Sequence, residues 1–233
     1  MHKTAGVLGG MGPDTTVDFM AKVIAATPAR KDQDHARLLV DQNPHVPNRQ
    51  AALLGDGEDP GPAMAAMATG LEKAGADFLV MPCNTAHAYA PAIREGVSIP
   101  LVSIIDVTVD ACAGFAVVGV MATAGCLEAR LYQDAFATAG ITSVLPDAAE
   151  IDEISQLAIE IKLGNRGPDI RQRMQAVAEA LVARGAQALV AACTEIPLVL
   201  DDSMIDVPLV ASTDVLAAVT AAICAGERPL PGP

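Results

Sequence analysis

The chain has 233 residues, enough to bury a sizeable core as one large domain or as two of about 110 residues. Its formal charge is −13 (15 − 28), and no Lys/Arg-rich block is present, which argues against a nucleic-acid surface. The apolar runs are too short for a membrane helix, so we expect no membrane partner. With no signal-peptide pattern and five cysteines without CxxC spacing, we predict a cytoplasmic protein with reduced thiols, no disulfide and no metal site.

The hydrophobic pattern predicts alternating strands and helices along the whole chain. In the first half it predicts strands at Thr4–Leu8, Arg37–Asn43 and Ile99–Ile105, with another strand ending near Cys83. A loop rich in Pro, Gly and Asp includes a short helical turn around Asn48–Leu54. The later predicted elements are a strand at Phe115–Met121 and helices at Asp14–Ala26, Leu127–Ala139, Ile151–Lys162, Arg171–Arg184 and Val215–Ala225.

An internal repeat relates the two halves of the chain. Met64–Cys83 matches Met174–Cys193 at nine of twenty positions, at an offset of 110 (193 − 83). In both copies a helical pattern is followed by a glycine, Gly75 or Gly185, in the position of a helix C-cap, and then by a buried strand. The repeat therefore indicates a duplicated domain rather than a solenoid.

This duplication predicts an α/β fold with two pseudo-symmetric half-domains, each a parallel four-stranded sheet flanked by helices. We assign residues 1–105 and 209–233 to an N-terminal lobe that carries Cys83, and residues 106–208 to a C-terminal lobe that carries Cys193. Ligands bind at the carboxyl ends of the strands in open parallel sheets. The active site is therefore expected in the cleft between the half-domains, with one thiol from each.

The two repeated cysteines are candidates for proton transfer. A lone cysteine at the end of a buried strand is more often inert packing, but two at equivalent positions of a duplication favour a function. We expect each to precede a helix N-terminus, capped by Asn84 or Thr194, where the helix dipole favours a thiolate. Cys112, Cys126 and Cys224 lack this setting and are predicted to be structural.

Four segments resemble the aspartate/glutamate racemase family of cofactor-independent amino-acid racemases, with the closest likeness to aspartate racemases. They are Gly9-Gly10-Met11-Gly12-Pro13, Asn43-Pro44-His45-Val46-Pro47-Asn48-Arg49, Pro82-Cys83-Asn84-Thr85-Ala86-His87 and Cys193-Thr194-Glu195-Ile196-Pro197. One departure is Ala192, where the family usually has Gly; its methyl group is expected to narrow the cleft slightly. The resemblance covers essentially the whole chain.

The resemblance implies interconversion of L- and D-aspartate, or of glutamate, without pyridoxal phosphate or any other cofactor. Proton transfer would take place between Cys83 and Cys193, one as thiolate and the other as thiol. The family also implies a homodimer and a small dicarboxylic amino acid as substrate. Alternatives are a glutamate-specific or broad-specificity racemase, a decarboxylase or isomerase using one cysteine, and a dicarboxylate-binding sensor without turnover.

A dicarboxylate substrate requires cations in this acidic chain. Arg49 and Lys162 lie where the family has its carboxylate-binding arginine and lysine, although a surface charge is the ordinary interpretation of Lys162 at a helix end. Glu195 is expected either to hold the substrate ammonium or only to favour a helix N-terminus. The other predicted substrate-binding residues are Met11, Asn84, Thr85, Thr123 and Thr194. For His87 we favour a packed histidine over a role in tuning the site.

Overall fold

The computed structural model describes residues 2–231, which form two four-stranded parallel sheets. The first sheet has the strand order β2-β1-β3-β4 and the second has the order β6-β5-β7-β8. The strands are β1 (Thr4–Gly9), β2 (Arg37–Gln42), β3 (Phe78–Val80), β4 (Leu101–Val102), β5 (Val117–Met121), β6 (Thr142–Val144), β7 (Ala188–Ala191) and β8 (Leu209–Ala211). Strands at equivalent positions of the two halves have the same order in each sheet, which confirms the predicted α/β architecture with two similar halves.

Ten α-helices flank the two sheets in the described part of the chain. They are α1 (Pro13–Ala26), α2 (Arg49–Leu53), α3 (Gly61–Lys73), α4 (Ala90–Gly96), α5 (Ile104–Ala111), α6 (Ala124–Glu128), α7 (Leu131–Thr138), α8 (Ala148–Lys162), α9 (Pro168–Ala183) and α10 (Ser212–Ala225). The predicted turn around Asn48–Leu54 is confirmed as α2. This helix begins at Arg49 because the Asn48 side chain accepts hydrogen bonds from the N–H groups of Gln50 and Ala51.

The repeat has the same local structure in both halves. Gly75 and Gly185 adopt φ values of 95° and 99°, in the left-handed region that glycine tolerates best. Directly after each glycine, the N–H of Ala76 or Ala186 bonds back to a carbonyl in the last turn of α3 or α9. This geometry ends each helix and turns the chain into the buried strand that leads to a cysteine.

Two predicted elements have different bounds in the structure. The strand expected at Ile99–Ile105 contains only Leu101–Val102, because the Ser103 side chain accepts a hydrogen bond from the N–H of Asp106 and caps α5 at Ile104. The single helix expected at Leu127–Ala139 is divided into α6 and α7 at Arg130, whose φ is 54°. A left-handed residue cannot continue an α-helix, so the chain turns there.

The predicted domain boundary at residue 209 needs a correction. Strand β8 begins at Leu209 and pairs with β7 in the second sheet, so the chain has not yet left the second half there. It returns in α10, where Lys22 of α1 forms a salt bridge with Asp214. An apolar core with members from both halves, including Phe19, Val118 and Leu216, joins the two sheets. The rest of the domain division stays a prediction.

Candidate active site

Cys83 and Cys193 follow β3 and β7, which are equivalent strands in the two sheets. Both thiols are buried, and both line one cavity of about 60 Å³. The same cavity is lined by all ten predicted site residues, namely Met11, Arg49, Cys83, Asn84, Thr85, Thr123, Lys162, Cys193, Thr194 and Glu195. Residues from both halves therefore form the walls, as expected for ligand sites at the carboxyl ends of parallel strands.

A larger groove of about 610 Å³ runs beside β4 and α5 to the C-terminal residues. Its charged groups include Arg94, Asp106 and Arg228, but neither repeated cysteine lines it. The smaller cavity is the better candidate because it gathers two thiols, two cations and a buried carboxylate around one small volume.

Arg49 lines the cavity, and the backbone fixes one side of its guanidinium group. Its Nη1 donates hydrogen bonds of 3.1 Å to the carbonyls of Val46 and Pro47, which hold that side of the group. Its Nε is buried and has no hydrogen-bond partner among the described residues. A buried donor without a partner is costly, so this Nε is suited to a ligand that supplies the acceptor. The adjacent Nε and Nη2 atoms have the geometry needed to donate two parallel hydrogen bonds to one carboxylate.

Cys193 is in direct contact with Glu195. Its Sγ donates a hydrogen bond of 3.0 Å to Glu195 Oε2, and the hydroxyl of Thr194 donates to the same oxygen at 3.1 Å. Burial, with the Glu195 charge adding to it, raises the pKa of Cys193 well above its usual value, although Lys162 opposes this shift. Cys193 is therefore a thiol at neutral pH, with a proton acceptor in hydrogen-bond contact.

Lys162 ends α8 and places its ammonium 3.6 Å from Glu195 Oε1. The Lys162 side chain is about half exposed, and its partial burial lowers its pKa. The attraction of the Glu195 carboxylate, and of the two cysteines when ionised, outweighs this effect, so the net shift in pKa is upward. Lys162 is therefore charged. Glu195 Oε1 is buried without a hydrogen-bond partner among residues 2–231, so it can still accept a hydrogen bond from a ligand.

The expected capping of the two cysteine loops is wrong. Short 3₁₀ turns follow the cysteines directly, at Thr85–Tyr89, which continues into α4, and at Ile196–Leu198, and neither turn has a side-chain cap. Asn84 instead contacts Tyr132 and Ser212, and Thr194 contacts Glu195. Without a long helix to provide a dipole, burial and the Glu195 carboxylate dominate at Cys193, so its pKa rises where we expected a thiolate.

His87 supports the Cys83 loop as a neutral, packed histidine, as we favoured. Its Nδ1 donates to the Cys83 carbonyl at 2.9 Å, and its Nε2 accepts from the N–H of Ile104 at 3.1 Å. Burial lowers its pKa to about 4, so it is uncharged at neutral pH. The ring thereby connects the Cys83 loop to the first turn of α5.

Three residues that line the cavity were not among the ten predicted site residues, namely Asn48, Gln50 and Ala192. Asn48 caps α2, and the aliphatic part of Gln50 lies close to Gly125 at the start of α6. The predicted helical turn that contains Arg49 could have indicated Asn48 and Gln50 as cavity residues, because the neighbours of Arg49 in a short turn lie around the same cavity. Ala192 precedes Cys193 and contributes the methyl group noted in the sequence.

Residues 2–231 contain neither a metal-binding cluster nor a membrane-spanning helix. No group of three or more His, Cys, Asp and Glu side chains within residues 2–231 is arranged to hold a metal ion. Among the helices of that same part of the chain, none has the length and apolar character needed to cross a membrane.

The sequence model of the Asp/Glu/Hydantoin racemase family matches residues 8–220, which is most of the chain. The chain belongs to this family. The aspartate racemase of Picrophilus torridus superimposes with a TM-score of 0.86 and 30% identity, covering 97% of this chain and 95% of that one. The broad specificity amino-acid racemase RacX of Bacillus subtilis (strain 168) is 29% identical over 225 residues, or 92% of this chain and 95% of the relative.

A more distant structure shares the fold alone. The glutamate racemase of Francisella tularensis subsp. tularensis SCHU S4, solved with D-glutamate, has a TM-score of 0.70 and 17% identity and covers 95% of this chain and 81% of that one. Membership of the Asp/Glu/Hydantoin racemase family makes this protein a racemase, an enzyme of the isomerase class. The resemblance described from the four sequence segments is thereby confirmed.

Proposed function

We propose that this racemase interconverts L- and D-aspartate by proton transfer between Cys83 and Cys193, without a cofactor. The observation that carries the proposal is that both thiols, one from each half of the duplication, line a single small cavity. A racemase must remove a proton from one face of the α-carbon and return a proton to the other. Two thiols in one cleft can supply both groups.

The proposed reaction starts with an aspartate whose side-chain carboxylate binds Arg49. One cysteine, as thiolate, takes the α-proton, and the opposite cysteine, as thiol, donates its proton to the other face. The C–H bond that breaks is replaced by one C–H bond of inverted configuration, and the two cysteines exchange protonation states. The free side of the Arg49 guanidinium supports this substrate orientation.

Glu195 would make Cys193 usable in both directions. When Cys193 must act as the base, its proton can pass to Glu195 Oε2 along the existing 3.0 Å hydrogen bond. Lys162 lies 3.6 Å from Glu195 Oε1, and this oxygen, which has no hydrogen-bond partner among residues 2–231, would accept from the substrate ammonium. Asn84, Thr85 and Thr194 would donate hydrogen bonds to the α-carboxylate as negative charge builds up on it, and Met11 and Thr123 would complete the walls.

The proposal is tested by incubating the protein with L-aspartate in D₂O and following α-deuteration by NMR and chirality by chromatography. We expect the D-enantiomer to accumulate to a 1:1 mixture, with deuterium at the α-carbon of the product. An absence of both exchange and inversion with aspartate would contradict the proposal.

The similarity to a broad specificity racemase supports a second candidate, a racemase that accepts several amino acids. Parallel incubations with glutamate and alanine decide between the two. Faster turnover of aspartate than of both others supports the proposal, whereas comparable rates support broad specificity. Glutamate alone as substrate would indicate a glutamate racemase.

Replacement of Glu195 by glutamine is expected to move the alkylation profile of Cys193 to lower pH. The Glu195 charge contributes to the raised pKa of Cys193, so its removal lets Lys162 stabilise the thiolate. The measurement is the iodoacetamide alkylation rate against pH in a Cys83→Ser background, with Cys193 identified by mass spectrometry.

The matched control for this experiment is Glu153→Gln. Glu153 forms its salt bridge with Arg173 and does not line the cavity, so this variant should keep the parental profile. An identical profile for Glu195→Gln and the parent would show that Glu195 has no electrostatic influence on Cys193.

We further infer a homodimer located in the cytoplasm, with a small dicarboxylic amino acid as the substrate and no nucleic-acid partner. These expectations come from composition and from the family resemblance. Light scattering coupled to size-exclusion chromatography tests the dimer, since a single peak with the mass of one chain would exclude it.

A further inference from the structure

A buried chain of hydrogen bonds holds the residue next to Cys83 from the opposite half of the molecule. The Tyr132 hydroxyl on α7 bonds to Asn84 Oδ1 at 2.7 Å, and Asn84 Nδ2 donates to the Ser212 hydroxyl at 3.0 Å. Ser212, at the start of α10, donates in turn to the carbonyl of Ala191 at 2.8 Å. We refer to this arrangement of Tyr132, Asn84, Ser212 and Ala191 as the amide latch.

The direction of each hydrogen bond in the amide latch follows from its last member. The Ala191 carbonyl can only accept, so the Ser212 hydroxyl uses its single proton there and must accept from Asn84. The atom of Asn84 that faces Ser212 is therefore the nitrogen, and the atom that faces Tyr132 is the oxygen. Tyr132 must donate, and it remains protonated because burial raises its pKa. The latch thus selects one of the two flipped orientations of the Asn84 amide.

This orientation leaves one N–H of Asn84 free. Its Nδ2 has two protons, and only the one given to Ser212 has an acceptor among residues 2–231. Asn84 is almost fully buried and lines the cavity directly beside Cys83. A flipped amide would place the carbonyl oxygen near Ser212, which has no proton left to donate.

We propose that Tyr132 is a positioning residue whose hydroxyl fixes the Asn84 amide so that its free N–H is presented to the substrate carboxylate beside Cys83. This inference rests on the proposed function of the cavity. Tyr132 is fully buried and does not line the cavity, so it acts through Asn84 rather than on the substrate. The same latch secures the Cys83 loop to the second half and so contributes to the relative position of the two thiols.

The test is Tyr132→Phe, which removes only the hydroxyl and leaves the ring in place. Without its donor, the buried Asn84 oxygen has no partner, and the amide loses its preferred orientation. We expect kcat/KM for aspartate to fall about tenfold per active site, and mainly through kcat, because the α-carboxylate gains charge in the transition state. The number of active sites is obtained from the stoichiometry of succinate binding by calorimetry, so a loss of folded protein is not counted as a loss of rate.

A double-mutant cycle separates positioning from a general structural effect. In an Asn84→Ala background, Tyr132→Phe is expected to cause no further fall in kcat/KM per site, because the group that it orients is already absent. The matched control is Thr220→Val, which removes another fully buried hydroxyl that bonds only within α10 and should leave kcat/KM per site unchanged.

Two results would overturn the inference: an unchanged kcat/KM per site in Tyr132→Phe, or the same fall in both backgrounds. If Asn84→Ala does not fold, Ser212→Ala serves as a second single variant, since it removes the acceptor of Asn84 Nδ2; an unchanged kcat/KM per site in this variant would contradict the latch. A wild-type protein without turnover would refute the proposed function separately. In that case weaker succinate binding by Tyr132→Phe would support the latch, and unchanged binding would contradict it.

Discussion

Replacement of either Cys83 or Cys193 by serine is expected to lower the rate of aspartate racemisation by about a thousandfold or more. A general acid or base contributes about 10²- to 10⁴-fold, and a serine hydroxyl is a far weaker acid than a thiol. In the proposed mechanism, each variant removes the group that acts on one face of the α-carbon. The measurement is the initial rate of inversion, followed by chiral chromatography in both directions.

The proposed mechanism also predicts how the single-cysteine variants exchange the α-hydrogen with solvent. The remaining cysteine can still remove the α-proton of one enantiomer and return a deuteron to the same face, so exchange in D₂O should persist for that enantiomer alone. The two variants should retain exchange for opposite enantiomers, which would assign each thiol to its substrate. Exchange of both enantiomers by either variant would contradict the proposed two-base mechanism.

Two controls accompany the cysteine variants. Cys224→Ala replaces a buried cysteine of α10 outside the cavity and should retain the wild-type rate. A mixture of Cys83→Ser and Cys193→Ser should remain inactive, because both thiols line a cavity within one chain. Recovery of activity on mixing would instead mean that the working site combines residues of two chains.

Replacement of Arg49 by lysine is expected to raise KM for aspartate about 100-fold, with a smaller change in kcat. A lysine ammonium cannot offer the paired donors of the guanidinium, and charged bidentate hydrogen bonds are among the strongest polar contacts. Lysine also cannot reproduce both contacts that Nη1 makes with the carbonyls of Val46 and Pro47. Steady-state kinetics with aspartate measures the change.

The choice of substrate shows which carboxylate Arg49 binds. If it binds the side-chain carboxylate, Arg49→Lys should affect any turnover of alanine much less than that of aspartate. An equal effect on both would assign Arg49 to the α-carboxylate, and an unchanged KM and kcat would remove it from the site. Arg171→Lys is the matched control, since Arg171 forms a surface salt bridge with Asp201 and does not line the cavity.

The sequence was sufficient to predict the architecture and ten of the thirteen residues around the cavity. The repeat at an offset of 110 identifies equivalent strands, and the carboxyl ends of parallel strands meet at one edge of each sheet. The predictions failed where a single polar residue changed the local structure, as Ser103 does by starting α5 inside a predicted strand. The strand β8 was assigned to the wrong half because hydrogen-bond pairing between strands is not a local property.

Tertiary contacts alone determined the partners of the site residues. Asn84 and Thr194 are residue types that commonly cap helices. The hydrogen-bond partners of Asn84, however, lie 48 and 128 residues away in the chain. Glu195 is only two residues from Cys193, but their contact depends on the shape of the turn between them. The sequence by itself was enough to predict that two cysteines share one cleft, because the hydrophobic periodicity and the internal repeat can both be observed in the sequence. The protonation of Cys193 and the orientation of the Asn84 amide depend on burial and on distant partners, which only the folded structure brings together.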